Sequence, residues 1–142
     1  MGKIKLSDTL RFLTARLNKI AGAHMELVLT TEEESVQAGE VFRATATVRA
    51  PEGVDRTLTC ITFSLEGQVQ REGRWQSYLQ RAETAQEVPL PGGHEYVIPL
   101  VVKIPAEAVY SEDGAVWRLR AQAVVDRTID PRDELIVTVV GD

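Results

Sequence analysis

Few side chains in this chain could carry chemistry. The densest group is "VVDRTIDPRDELIVTV" (124–139), where Asp126, Asp130 and Asp133 stand close together with Glu134, Arg127 and Arg132 among them. Three carboxylates so spaced raise the question of a bound cation or of acid–base work. A calcium loop needs six to eight oxygens from a tightly spaced run, usually with a glycine at its sharp turn. Here Pro131 makes the bend, and the arginines compete for the same carboxylates through bidentate hydrogen bonds. The stretch therefore reads as an Asp-Pro turn between two strands, with Asp130 capping its own backbone.

Nucleophilic catalysis needs a base, an orienting carboxylate and an activated hydroxyl or thiol. Only His24 and His94 could serve as the base. His24 sits where a helical pattern gives way to a strand pattern, and His94 follows Gly92-Gly93 in a hairpin loop. Both read as solvated turn positions. Cys60 is the single cysteine, which rules out an intramolecular disulfide and a cysteine-based zinc site within one chain. It falls off the apolar stripe of its segment and reads as an inert, packed thiol. Gly92-Gly93 has neither the spacing nor the following helix of a phosphate cradle. No cofactor, metal or catalytic residue is assigned.

The elements that would position these residues are legible from hydrophobic period. Leu6, Leu10, Leu13, Leu17 and Ile20 recur at helical spacing, with Ser7 or Asp8 to cap the start and Gly22 to stop. Residues 1–22 are thus expected to form an amphipathic helix, with Phe12 off its stripe. After Gly22 the period becomes two. Phe42, Ala44, Ala46 and Val48 share one face of a strand; so do Ile61, Phe63, Leu65 and Val69; so do Tyr96, Ile98, Leu100, Val102 and Ile104; and so do Trp117, Leu119, Ala121, Ala123 and Val125. Pro99, which has no N–H to donate, suits an edge strand or a bulge. Turn signals stand at "APEG" (50–53), "REGR" (71–74), "LPGG" (90–93) and "SEDG" (111–114). Long alternating strands with short turns and no helices between them predict a two-sheet antiparallel sandwich over residues 23–142.

Charge and length bound the function. A chain of 142 residues is one ordinary domain. Residues 1–20 hold five basic side chains against Asp8, a balance of +4, which leaves −9 for the remainder of a chain whose net charge is −5. An acidic body argues against a nucleic-acid binder. No apolar run approaches the ~18 residues of a membrane span, and Arg11, Arg16 and Lys19 interrupt any secretory apolar core. A cytoplasmic location is expected.

The order of segments adds a resemblance. "MELVLTTEEESVQAGE" leads into "VFRATATVRA", then "LTCITFSLEGQVQREG", "GGHEYVIPLVVKIP" and "AVWRLRAQAVVDRTIDPRDELIVTV". This resembles bacterial arrestin-like proteins, in particular the sporulation-control (SpoOM) family. Trp117, Asp126, Asp130, Pro131, Asp133 and Ile136-Val137 fit that family's closing pattern best. The likeness spans roughly residues 25–140, although family members usually carry two sandwiches in tandem and this chain has length for one. It implies an all-β, arrestin-like (immunoglobulin-like) antiparallel sandwich of seven or eight strands, without enzymatic activity, that works through protein contacts.

The first functional expectation is therefore a cytoplasmic interaction or scaffold protein, regulatory in character and self-associating. Its binding surfaces would be the helix (Leu6, Leu10, Phe12, Leu13 and Leu17) and exposed sheet edges. Three uses of the helix are open: packing on its own sandwich, joining a second copy, or lying on an anionic membrane. The alternative is a small-ligand module, such as a carbohydrate binder using Trp75, Tyr78 and Trp117. Trp117 reads as core, and Trp75 and Tyr78, three residues apart, would face opposite sides if their segment were extended. An enzyme site assembled across a dimer would have to use His24 or His94. If the three aspartates serve a turn, millimolar calcium leaves the melting temperature unchanged in a thermal scan; a rise would place a cation there.

Overall fold

The computed structural model describes residues 25–71 and 74–141; the side chains of 71, 74–76, 85 and 86 are not part of that description. The expected helix of residues 1–22, with Leu6, Leu10, Phe12, Leu13 and Leu17, and His24 after it, lie outside the described residues.

What is described is a sandwich of two antiparallel sheets. One has three strands in the order β1 (Glu26–Thr30), β3 (Val41–Arg49), β6 (Glu95–Lys103). The other has four, in the order β5 (Arg74–Leu90), β4 (Arg56–Arg71), β7 (Val116–Val125), β8 (Arg132–Val137). A short parallel pair, β2 (Val36–Gln37) with β9 (Val139–Val140), ties the loop after β1 to the last strand. Nine strands are found among the described residues, two of them only two residues long, against the seven or eight expected.

The period-two pattern decides which face of each strand goes inward. Phe42, Ala44, Ala46 and Val48 of β3 are buried, as are Ile98, Leu100 and Val102 of β6. They meet Ile61, Leu65, Leu119 and Ala123 from the other sheet in one continuous core. Their alternate neighbours on β6 (Val97, Pro99, Val101 and Lys103) are exposed. One inner and one outer face per sheet is the expected division for aligned sheets packed face to face. Pro99 lies on β6, an edge strand of its sheet, where a missing donor costs least.

One long strand escapes the hydrophobic pattern. Residues 74–90 carry no apolar alternation, and sequence reading names no strand there. The structure pairs them with β4 from Arg56↔Leu90 to Arg71↔Arg74. This strand lies at the edge of the sheet, so backbone pairing with a central strand defines it rather than two-sided burial. A register shift between Leu58 and Cys60 lets β4 keep both neighbours while it twists.

The opposite edge of the sandwich is closed by the aspartate stretch. Asp133 shares a cross-strand row with Ala121, Phe63 and Ala82 on the inner side of the four-stranded sheet. Its Oδ2 accepts the backbone N–H of Leu29, at 2.8 Å, from β1 of the other sheet. That N–H belongs to an edge strand and would otherwise lack a partner in a half-buried seam. Replacing Asp133 by alanine should therefore cost about 1–3 kcal/mol of unfolding free energy, the range for a charge-assisted bond whose donor is left unpaired. Urea unfolding of the two chains measures this, with a change under 0.5 kcal/mol counting against the closure.

Candidate functional site

The aspartates are committed to the backbone. Asp126 Oδ1 accepts the N–H of Thr57 at 2.7 Å, and its own N–H returns to the Thr57 carbonyl at 3.2 Å. Asp130 Oδ1 accepts the N–H of Val125, and its Oδ2 accepts from the Gln122 side-chain amide at 3.1 Å. Asp133 reaches across to Leu29. The three carboxylates thus serve separate backbone donors at the end of β7, the start of β4 and the facing sheet. Arg127 takes a positive φ of 56° in this turn, a conformation that non-glycine residues adopt sparingly. The turn reading of the stretch holds. Among the described residues, no group of three or more His, Cys, Asp or Glu is placed to hold a metal ion.

The other candidates are also placed. His94 is exposed, and its N–H closes a turn onto the Pro91 carbonyl. Cys60 is half-buried in β4. Burial pushes its thiol pKa upward, and the nearby charges of Glu83 and Asp130 push it the same way. A thiol so placed is held in its protonated, unreactive form.

Trp117 is buried, with its Nε1–H donated to the Val109 carbonyl at 2.9 Å. It stands in one cross-strand row with Gly67 and Tyr78. The rings of Tyr78 and Trp117 meet over Gly67 with centroids 5.6 Å apart and planes tilted by 55°, the favoured arrangement for aromatic pairs. A Cβ on Gly67 would lie 2.5 Å from the Trp117 ring. A cleft of about 150 Å³ opens beside them, lined by Tyr78, Pro105, Ala108 and Trp117 among others. It is too small for an ordinary small-molecule ligand, whose sites run from roughly 300 Å³ upward. Tyr78 and Trp117 are spent on each other rather than displayed as a platform.

A larger concavity lies elsewhere. The outward residues of the four-stranded sheet form a broad open groove of about 1050 Å³. Cross-strand register stacks the outward side chains of this sheet in rows: Glu83, Thr62, Gln122, Arg132; then Arg81, Ser64, Arg120, Glu134; then Leu79, Glu66, Arg118, Ile136. Leu79 and Glu66 of the last row line the groove, and Arg118 and Ile136 continue the row beyond it. Arg120 Nε is 2.9 Å from Oε2 of Glu134 and 2.9 Å from Oε2 of Glu66. Only the contact with Glu134 is aligned as a hydrogen bond. Glu66 Oε2 and the Nε of Arg118 are buried without a hydrogen-bond partner among the described residues. Exposed Leu79 and Ile136 flank this pair. The apolar stripes read on β4 and β7 leave Thr62, Ser64, Glu66, Arg118, Arg120 and Gln122 on the other face of their strands. Sequence reading did not bring them together, because the register that stacks them depends on β5, which carries no apolar signal.

No protein-family model and no curated protein matches the chain. Solved structures do resemble it. Spo0M, the sporulation control protein of Bacillus subtilis, superposes with a TM-score of 0.69 and 13% identity, over 85% of this chain and 51% of that one. The chain has a SpoOM-like fold. It spans about half the length of that neighbour. The superoxide reductase (neelaredoxin) of Ignicoccus hospitalis gives a TM-score of 0.45 at 16% identity, over 82% of this chain and 80% of that one.

The wedge of two rings over a bare backbone position yields a direct test. Gly67→Ala should destabilise the protein by about 1–3 kcal/mol, as overpacking does in a filled core, and should shift tryptophan emission. Loss of under 0.5 kcal/mol with unchanged emission would mean that the rings do not close on Gly67.

Proposed function

We propose that this chain is a non-enzymatic, cytoplasmic interaction protein of arrestin-like type, with a regulatory role of the sporulation-control kind. The observation that carries this is the outer face of the four-stranded sheet, where the groove and the row beside it meet. Two oppositely charged side chains, Glu66 and Arg118, lie side by side there: the Arg118 Nε is buried without a hydrogen bond among the described residues, and the buried Glu66 Oε2 has the Arg120 guanidinium at 2.9 Å without an aligned hydrogen bond. Buried polar atoms are almost always satisfied, so such a pair on an open face fits a surface completed by a partner. Arginine is also enriched among the residues that dominate contact energies. Exposed Leu79 and Ile136 stand at the two ends of the same row.

The SpoOM-like fold supports the regulatory part of the reading, since Spo0M is described as a sporulation control protein. The lone cysteine fits a reducing compartment. Among the described residues no helix is long and apolar enough to cross a membrane. A second copy of the chain is one partner that the reading includes, through the long exposed edge strand β5 or through β6, where main-chain donors and acceptors can extend a sheet.

This outer face is tested by comparing proteins retained from cells of the source organism by the intact chain and by an Arg118→Glu/Ile136→Asp variant of matched stability. Loss of at least ~10-fold in one or more retained proteins is expected, the scale of removing a hot-spot residue. Identical retention by both chains would remove this face from the function. Sedimentation velocity across a range of concentrations reads self-association separately, and a monomer throughout would end that part.

A further inference from the structure

A strand at the edge of a sheet offers its unpaired main-chain groups to a second chain. The two larger sheets have their edges at β1 and β6 and at β5 and β8. β1 and β8 face each other, and Asp133 of β8 takes the N–H of Leu29 across the seam. β6 carries Pro99 at its middle, a residue that blunts further pairing at an edge. β5 has neither device. From Arg74 to Ala85 it pairs with β4 without a register shift, an unbroken run of roughly 40 Å. Residues 77–84 of it, "SYLQRAET", hold no proline and no lysine.

Two charged residues stand in that stretch, and their signs differ. Arg81 and Glu83 are two residues apart, so they share the outward face of the sheet. Both are exposed. Their neighbours on β4, Ser64 and Thr62, are neutral, and no ion pair joins either charge to another described residue. Ala82, also exposed, lies between them on the opposite face. Such an edge is complementary to itself. When an antiparallel copy sets Ala82 opposite Ala82, Arg81 comes opposite the second copy's Glu83, and Glu83 opposite its Arg81. Sliding this register by two residues sets arginine against arginine or glutamate against glutamate, and a parallel, in-register copy does both. Like charges directly opposite destabilise a strand pair, so the charge pattern singles out one register.

We propose that β5 is the interface of a symmetric dimer, in which the β5 strands of two copies pair antiparallel about Ala82 and join two four-stranded sheets into one. The proposal rests on the self-association included in the proposed function and gives it a surface and a register. The interface is isologous, as a two-fold dimer requires: each copy brings the same two charges, and Ala82 at the axis adds no bulk to obstruct approach. Main-chain hydrogen bonds along the outer side of β5 supply the affinity, as in other strand additions. Arg81 and Glu83 also line the groove, so the grooves of the two copies meet at the axis on one continuous face. A partner that engages both gains from the raised effective concentration.

Sedimentation velocity of charge-exchanged full chains tests it. Arg81→Glu and Glu83→Arg, each alone, should raise the dimer dissociation constant at least ~10-fold, because either sets like charges opposite each other at two symmetric places. The double variant Arg81→Glu/Glu83→Arg restores both pairs in this register and should return the constant to within about threefold of the original. Cross-linking reads the axis itself. In a Cys60→Ser background, Ala82→Cys should form a disulfide-linked dimer under oxidised glutathione at least ~10-fold faster than Leu79→Cys. Opposed residues on antiparallel strands lie within disulfide reach, whereas Leu79 stands roughly 20 Å from its own copy in this register. A dimer that the single exchanges leave unchanged, a double variant no tighter than the singles, or equal cross-linking rates would overturn the proposal and leave self-association to another surface. A chain that stays monomeric at every concentration would overturn both.

Discussion

A single carboxylate on the inner side of the four-stranded sheet shapes how the sandwich closes. Two sheets can bury their apolar faces against each other only if the edges where they meet leave no backbone group stranded in the seam. β1 offers such a group, the N–H of Leu29, on the side away from β3. Asp133 takes it from β8 of the facing sheet. An inward-pointing charge on an edge strand would be costly in isolation. Here its cost is offset by a donor that has the same need, and the pairing also occupies an edge that would otherwise be open to another chain.

The same logic accounts for Asp126 and Asp130. Each holds a backbone amide where a strand begins or ends: Thr57 at the start of β4, Val125 at the end of β7. What resembles a cluster in sequence is three separate solutions to one problem, the polar backbone at strand ends. The carboxylates are close in the chain because β7 ends, turns through Arg127 and Pro131, and returns as β8 within a few residues. Nearness in sequence is a consequence of the turn and carries no shared ligand.

Much of this was legible before the structure. Alternation assigned the inner faces of β3, β4, β6 and β7 residue by residue, because a strand with one wet and one dry face must repeat every two positions. The proline and interleaved arginines marked 124–139 as a turn, and the resemblance to the sporulation-control family agrees with the fold that the chain shares with Spo0M. β5 was not legible, and the reason is physical. As an edge strand it is specified by hydrogen bonds to β4, which are indifferent to side-chain type. Its Ala, Glu and Gln residues leave no periodic trace. The groove was lost with it, because the rows that bring Glu66 beside Arg118 and Leu79 exist only once the β5 and β7 registers are known. The Tyr78–Gly67–Trp117 wedge was hidden for the same reason: Gly67 reads as a weak point in a strand until both aromatic neighbours are placed across it.

The two outer faces show how one sandwich can present different chemistries. Both arise from the outward half of the same period-two pattern, yet one carries rows of stacked charges and the other valine, threonine and proline with charged residues at its two ends. A charged face remains soluble without a cover. Its ion pairs are partly exposed, with 30–49% of the Glu66, Arg120 and Glu134 side chains accessible, so they add little to stability. They bear instead on what can approach, because a wrong partner leaves charges unpaired. The β-branched face has the opposite balance. Val97 and Val101 gain from an apolar cover, but Arg43 stands directly opposite Val101 and Lys103 opposite Val41, so a contact there must leave those charges in water or paired.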